Sequence, residues 1–262
     1  MPDLRSYGPW AVIAGGSEGV GAEFATQLAD EGFDLVLIAR KPGPLEETAA
    51  ACRERGVEVR TLAVDLTSPT AVAEVTAATA GLEVGLLVYN AGANSYGEAF
   101  TRGELVRHQG VIDLNITTML ALVHHYAQPM KERGRGGILL VGSLAGYVGA
   151  SNEAIYGAVK AFGRIFAEGL WVELRDHGVD VLELVLGVTR TPAMERAGLD
   201  FTIPGLVVSE PADVAREGLA HLADGPVHVI SGNERIVEIR GTSDRATLVS
   251  RTDERLKKLV GR

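Results

Sequence analysis

The chain has 262 residues, 46% of them hydrophobic and 23% charged, an ordinary globular composition long enough to bury a sizeable core. A net charge of −9 speaks against nucleic acid or an anionic membrane as partner, because both demand basic surface. Cys52 is the single cysteine, which excludes an intrachain disulfide and a cysteine-based zinc site; with no signal-like or membrane-spanning apolar run, a cytoplasmic protein is expected.

Apolar runs and helical stretches then alternate along the chain. Trp10 to Ala14 reads as a short strand, followed by a glycine-rich turn and a helix to about Asp30. Asp34 to Ala39 is a second strand, Pro44 to Arg55 a helix, and Val57 to Val64 a third strand. Pro69 to Ala80 is an alanine-rich helix with Ser68 as its cap and Pro69 at its first position. Val84 to Tyr89 is the fourth strand, and a long helix over Glu104 to Arg133 leads into a fifth at Ile138 to Val141. The helix carrying Tyr156 runs to about His177, and Val179 to Leu186 is the sixth strand. Thr191 to Val208, with Pro192, Pro204 and Gly205, is irregular. A helix from Pro211 to about Ala223, a strand at Val227 to Ile230 and a charged helix over Ser243 to Leu259 complete the chain. Strands apolar on both faces and separated by helices imply a parallel sheet covered on both sides. No linker or repeat breaks the pattern, so residues 1–262 read as one doubly wound α/β domain of about seven strands.

Chemistry concentrates at two places. Gly15, Gly16, Ser17, Glu18, Gly19, Val20 and Gly21 join the first strand to the first helix, where glycines let the backbone approach a pyrophosphate at a helix N-terminus. Tyr156 and Lys160, four residues apart, share one helix face. A phenol titrates near pH ~10 in water, and a neighbouring ammonium favours its ionised form, which brings the proton within catalytic range. Ser143 follows the fifth strand, and at the carboxyl end of a parallel strand its hydroxyl can reach a ligand crevice. His108, His124, His125 and His177 lack metal-ligand partners at suitable spacing and read as structural or surface residues, so no metal is expected.

Gly15-x-x-x-Gly19-x-Gly21, Asn90-Ala91-Gly92, Asn115, Ser143, Tyr156-x-x-x-Lys160 and Gly187 to Thr191 together resemble the classical short-chain dehydrogenase/reductase family over about residues 8 to 232. The runs Tyr7 to Val12 and Gly32 to Ile38 are similar to its branch of 17β-hydroxysteroid dehydrogenases and long-chain 3-oxoacyl-CoA reductases. The resemblance implies a Rossmann-type fold and hydride transfer between a nicotinamide cofactor and a carbonyl or alcohol. It implies that Ser143 hydrogen-bonds the substrate oxygen, that Tyr156 donates the proton during reduction, and that Lys160 lowers the Tyr156 pKa and holds the nicotinamide ribose. Asn115 matches the residue that keeps a water in a relay to Lys160.

For the cofactor, the resemblance implies contacts from Gly15, Ser17, Glu18, Gly19, Val20 and Gly21, from Asn90, Ala91 and Gly92, and from Gly187, Val188 and Thr191 near the carboxamide. Asp65, with Leu66 beside it, matches the adenine-contacting Asp; capping of a turn is its other reading. Arg40 ends the second strand, where an arginine would meet a 2′-phosphate; with Lys41 it points to NADP, NADPH preferred over NADH. Glu18 opposes that preference. The sequence departs from the family pattern at Ala14, Tyr89 and Leu186, positions that brace turns. Residues 189 to 209 are expected to form a substrate lid, in which Met194, Leu199, Phe201, Ile203, Leu206, Val207 and Val208 either line an apolar pocket or pack against the domain. The expected partner is a small carbonyl or alcohol, plausibly a steroid-like ketone or a long 3-oxoacyl chain, and a catalytically silent NADP-binding regulator is the alternative. The two long helices, with Val111, Leu114, Phe162, Phe166 and Leu170 as surplus apolar surface, predict a homodimer or homotetramer.

Overall fold

The computed structural model describes residues 3–92, 94, 96–241 and 251. The order is β1 (Trp10–Ala14), α1 (Gly19–Asp30), β2 (Asp34–Ala39), α2 (Pro42–Arg53), β3 (Val59–Ala63), α3 (Ala71–Ala78), β4 (Val84–Tyr89), α4 (Leu105–Ile112), α5 (Thr118–Arg133), β5 (Gly136–Ser143) and α6 (Ala154–Leu174). Then follow β6 (Val179–Leu186), β7 (Val188–Thr189), α7 (Pro192–Arg196), β8 (Val208–Ser209), α8 (Pro211–Ala220), β9 (Val227–Val229) and α9 (Glu234–Arg240).

Seven strands form one parallel sheet in the order β3-β2-β1-β4-β5-β6-β9. Every residue of β1 and β4 is buried, as central strands covered on both faces require, whereas edge strand β3 is half exposed. One core packs Phe24, Leu28, Leu45 and Leu219 against the sheet, and the other packs Val75, Leu122, Met130 and Leu174 against the opposite face. The chain runs outward from β1 through β2 and β3, then returns to place β4 on the other side of β1. That reversal opens a crevice at the carboxyl ends of β1 and β4, where α/β sheets bind ligands.

Several boundaries depart from the sequence reading. The helix expected over Glu104 to Arg133 is broken at Asp113–Thr117 by a single π-helical turn, which contains Asn115. Helix α3 begins at Ala71 rather than Pro69, because Ser68 and Pro69 belong to a preceding turn in which the Ser68 N–H donates to the Asp65 carbonyl at 2.8 Å. The irregular stretch after Thr191 holds the short helix α7, and β7 pairs with β8 to fasten both ends of that excursion. Helix α9 was not anticipated. The expected terminal helix, Ser243 to Leu259, falls outside the described residues except for Arg251. No described helix is long and apolar enough to cross a membrane.

Candidate active site

The crevice is a single cleft of about 1390 Å³, lined by Gly15, Ser17, Glu18, Gly19 and Val20, by Arg40, Lys41, Asp65 and Leu66, and by Asn90, Ala91 and Gly92. Ser143, Tyr156, Lys160, Gly187, Val188 and Thr191 line it too. Of the turn and catalytic residues marked in the sequence, Gly16, Gly21 and Asn115 are not part of this lining.

The glycine turn is held by steric and hydrogen-bond constraints that only this sequence meets. Gly15 has φ +85°, and a side-chain carbon there would lie 2.9 Å from the Ala91 nitrogen. Asn90 Nδ2 donates to the Gly15 carbonyl at 2.9 Å, tying the end of β4 to the turn. Glu18, the residue before α1, leaves the first N–H groups of that twelve-residue helix without a side-chain cap. Free donors at a helix N-terminus beside a tight backbone loop suit a pyrophosphate, so these residues fit a dinucleotide. Tyr89 compensates its departure from the family pattern: its hydroxyl donates to the Leu114 carbonyl at 2.5 Å, bracing β4 against the π turn.

Burial pushes the Asp65 carboxyl up, but hydrogen bonds from the Thr67 backbone and hydroxyl, with Arg40 nearby, leave it below the usual range. Asp65 is therefore an Asx-turn acceptor as well as a cleft-lining anion. Glu18 is engaged by Arg196 of α7, whose Nη1 lies 3.0 Å from Oε2 while Nη2 meets Oε1. That pairing, with Lys41 adding to it, holds the Glu18 carboxyl below its ordinary value.

Ser143 ends β5, and its Oγ accepts from the Ala145 N–H at 3.1 Å. The hydroxyls of Ser143 and Tyr156 are hydrogen-bonded to each other. Lys160 is 8% exposed; its Nζ donates to the Val141 carbonyl at 2.9 Å and sits 5.7 Å from the Tyr156 ring centroid. Burial pushes the Tyr156 phenol up to about 12, the Ser143 hydrogen bond pulls it back, and Glu153 pushes it further up. The lowering expected from Lys160 is not what acts on this phenol; the Ser143 hydrogen bond is the lowering influence, and desolvation outweighs it. Burial also lowers Lys160 to about 8, against an opposing pull from Glu183. Asn115, on the π turn, donates through Nδ2 to the Val111 carbonyl at 2.9 Å. Its Oδ1 and the Lys160 ammonium both crowd Gly92, where a side-chain carbon would collide with Nζ and lie 2.9 Å from Oδ1.

The rest of the lining is mixed, with polar Asn94, Ser151, Asn152, Glu153, Asn233 and Arg240 beside an apolar set. Leu144, Val148, Met194, Leu199, Leu206 and Val207 belong to that set, joined by Ile236 and Ile239 of α9. Phe201, in contrast, lies against the Arg190 guanidinium, and Val208 is a β8 residue; neither they nor Ile203 line the cleft. The sequence reading missed α9, Arg196, Glu153 and Arg240. Glu153 is raised by burial, with Arg240 opposing, and Arg240 donates to the Leu144 carbonyl. Seven residues are too few for α9 to show a helical period, although Ile236 and Ile239 among charged neighbours hint at one inward face.

Residues 9–200 match the short chain dehydrogenase family. The chain belongs to that family. The 7β-hydroxysteroid dehydrogenase of Clostridium sardiniense is 33% identical to this dehydrogenase over 219 residues, 83% of this chain and 84% of that one. The very-long-chain 3-oxoacyl-CoA reductase of Podospora anserina is 35% identical over 213 residues, covering 78% and 62% of the two chains. A structure solved to explain 7β-hydroxysteroid dehydrogenase stereoselectivity superposes with a TM-score of 0.86 at 28% identity, over 94% of this chain and 98% of the other. A short-chain dehydrogenase from Sphingobium yanoikuyae in complex with NADPH superposes with a TM-score of 0.78 at 33% identity, over 92% and 94%. This short-chain dehydrogenase is therefore an NAD(P)-binding oxidoreductase acting between CH–OH and C=O groups, in the branch the sequence resembled. A silent regulator is not favoured, since these relatives are named dehydrogenases and reductases.

Proposed function

We propose that this dehydrogenase interconverts an apolar ketone and its secondary alcohol, with NADPH preferred over NADH. The observation that carries the reading is the Ser143–Tyr156 hydroxyl pair, which lines the same cleft as the glycine turn and a set of apolar side chains. Gly15–Gly21, Asp65 and Asn90–Gly92 would hold a dinucleotide, which when bound would supply the hydride chemistry between carbonyl and alcohol. The protein moves the proton. Ser143 donates a hydrogen bond to the substrate oxygen, and Tyr156, kept protonated at neutral pH by its burial, gives that oxygen its proton during reduction. Lys160 holds the nicotinamide ribose and supplies positive charge beside the phenol as the proton leaves. Asn115 shares the Gly92 surface with the Lys160 ammonium and keeps a water there for proton resupply.

Arg40 and Lys41 favour the 2′-phosphate, a charge-assisted contact worth about 1.5–3 kcal/mol, or roughly tenfold to a hundredfold in affinity. Glu18, the opposing charge, is neutralised by Arg196, which supports the NADPH preference. The apolar side chains in the lining and the hydroxysteroid and very-long-chain oxoacyl relatives support an apolar substrate. The net charge of −9 favours a neutral ligand over a CoA thioester. Residues 190–207, fastened at both ends by β7 and β8, act as the lid. The test is a cofactor-coupled screen of ketones, steroids and 3-oxoacyl thioesters with NADPH and NADH separately. Turnover confined to small polar carbonyls, or equal affinity for both cofactors by calorimetry, overturns the corresponding half of the reading.

A further inference from the structure

Glu183 lies in the middle of β6, only 2% exposed, and the strand's alternation turns it toward α6 together with Val179 and Val181. A carboxyl there has room only because two neighbours lack side chains. A carbon on Gly142 of β5 would lie 2.5 Å from Glu183 Oε1, and one on Gly163 of α6 would lie 3.4 Å from it. Oε2 has no hydrogen-bond partner among the described residues. Lys160, one helical turn before Gly163, places its Nζ on the Val141 carbonyl, immediately next to Gly142. The ammonium and the carboxyl thus both end at the Val141–Gly142 step of β5. The titratable and charged groups acting on Glu183 are Lys160 and Arg164, which favour its ionised form, and Glu168, which opposes it, all three on α6; Tyr147 lies close enough to feel its charge.

We propose that Glu183 is a positioning residue for proton transfer, a carboxyl sealed between β5 and α6 that sets the charge state of Lys160 from the core side. The inference rests on the Tyr156–Lys160 reading above. Burial alone strips Lys160 of its proton at lower pH than usual, and an ionised Glu183 opposes that loss. Burial likewise raises Glu183 to about 8, the value to which Lys160 is lowered, so the two groups titrate in one range and each stabilises the other's charge. No proton leaves the pair for substrate in this scheme. Glu183 extends upward the pH range over which Lys160 stays an ammonium.

The test is an NMR titration of full-length protein carrying 13C-labelled lysine, with the Lys160 resonance assigned by its loss in Lys160→Met. In the wild type it should show two inflections, one from Lys160 and one from Glu183. In Glu183→Gln a single inflection should appear, lower by about one pH unit, a tenfold loss of proton affinity. Glu183→Asp should restore the two-step curve. The alkaline limb of kcat/KM, measured with the ketone turned over fastest in the screen above, should move down by the same amount. An unchanged Lys160 titration in Glu183→Gln, or an activity loss uniform across pH with its limbs unmoved, overturns the proposal. Should Glu183→Gln fail to fold, a single inflection in the wild type overturns it and two support it. Turnover retained by Tyr156→Phe would instead defeat the underlying proton-transfer reading, while the Lys160 titration still reports on Glu183.

Discussion

Tyr156 is caught between two demands, since a proton donor must be acidic enough to give up its proton and buried enough to meet an apolar substrate. Burial dominates and pushes the phenol up to about 12, so it stays protonated and available for reduction although it is a weaker acid than a free phenol, and almost none of it is the phenolate that oxidation needs. Alcohol oxidation should therefore accelerate as pH rises through the neutral range, while ketone reduction holds level there; pH–rate profiles in both directions check this. Tyr156→Phe should lower turnover by about 100-fold or more while leaving cofactor affinity nearly intact, since general acid catalysis contributes roughly 10²–10⁴-fold. Retention of more than a tenth of wild-type turnover would remove Tyr156 from the proton step. Lys160→Ala should damage both turnover and cofactor affinity. The buried pair also bears on stability. Glu183 is raised from 4.5 to about 8 in the fold, so between those values the folded state binds more protons and stability falls as pH rises. Lys160, lowered from 10.5 to about 8, acts in the opposite sense above pH 8, where the unfolded state binds more protons and stability recovers. The thermal midpoint of Glu183→Gln should therefore gain on the wild type between pH 5 and pH 8. A constant difference would show that Glu183 does not titrate in that window.

At the scale of elements, the excursion between β7 and β8 brings both charged and apolar groups to the cleft. Its first helix, α7, sends Arg196 to Glu18 beside the glycine turn, while Met194, Leu199, Leu206 and Val207 belong to the apolar set of the lining. Arg196→Leu would expose the Glu18 charge and should narrow the preference for NADPH. Because the pair is solvent-exposed, that effect should fade with added salt, which calorimetry at two ionic strengths will show. For that apolar set, homologous ketones of increasing chain length should gain about 0.8 kcal/mol per buried methylene, roughly fourfold in kcat/KM per carbon, until the pocket is filled. A flat series would mean that these side chains pack against the domain and not against substrate.

At the scale of the whole molecule, the expected dimer surface is shifted by the structure. Val111 is buried, and Leu114, Phe166 and Leu170 pack against the core, so they are not surplus surface. Of the expected set Phe162 is exposed, and further exposed apolar side chains lie at Leu105 and Val106 of α4 and at Ile165 and Val172 of α6. Exposed apolar side chains on two helices are the kind of surface through which chains associate, and they are where the expected dimer is tested. Light scattering at micromolar concentration should give at least a dimer, and Phe162→Asp with Ile165→Asp should shift it to monomer without loss of secondary structure. A monomeric wild type would count against the assembly.

What the amino-acid order determined by itself is whatever rests on local periodicity. Strands β1, β2, β4 and β6 lie where their apolar runs predict, because burial on both faces leaves little choice of residue. The glycine turn was legible for a similar reason, since close backbone approach admits few residue types. Most of the residues gathered in the cleft were marked by their resemblance to the family's motifs, while Glu153, Arg196, Arg240 and α9 carried no such mark. Only the tertiary structure decided how they act on one another. Asn115 belongs to a π turn within a stretch that reads as continuous helix, and Tyr89 replaces a missing brace by reaching Leu114. Glu183 reads as one polar residue in a strand; its meaning comes from Gly142, Lys160 and Gly163, which the sheet and α6 bring to it. Burial sets the charge of such groups, and burial depends on residues distant along the chain.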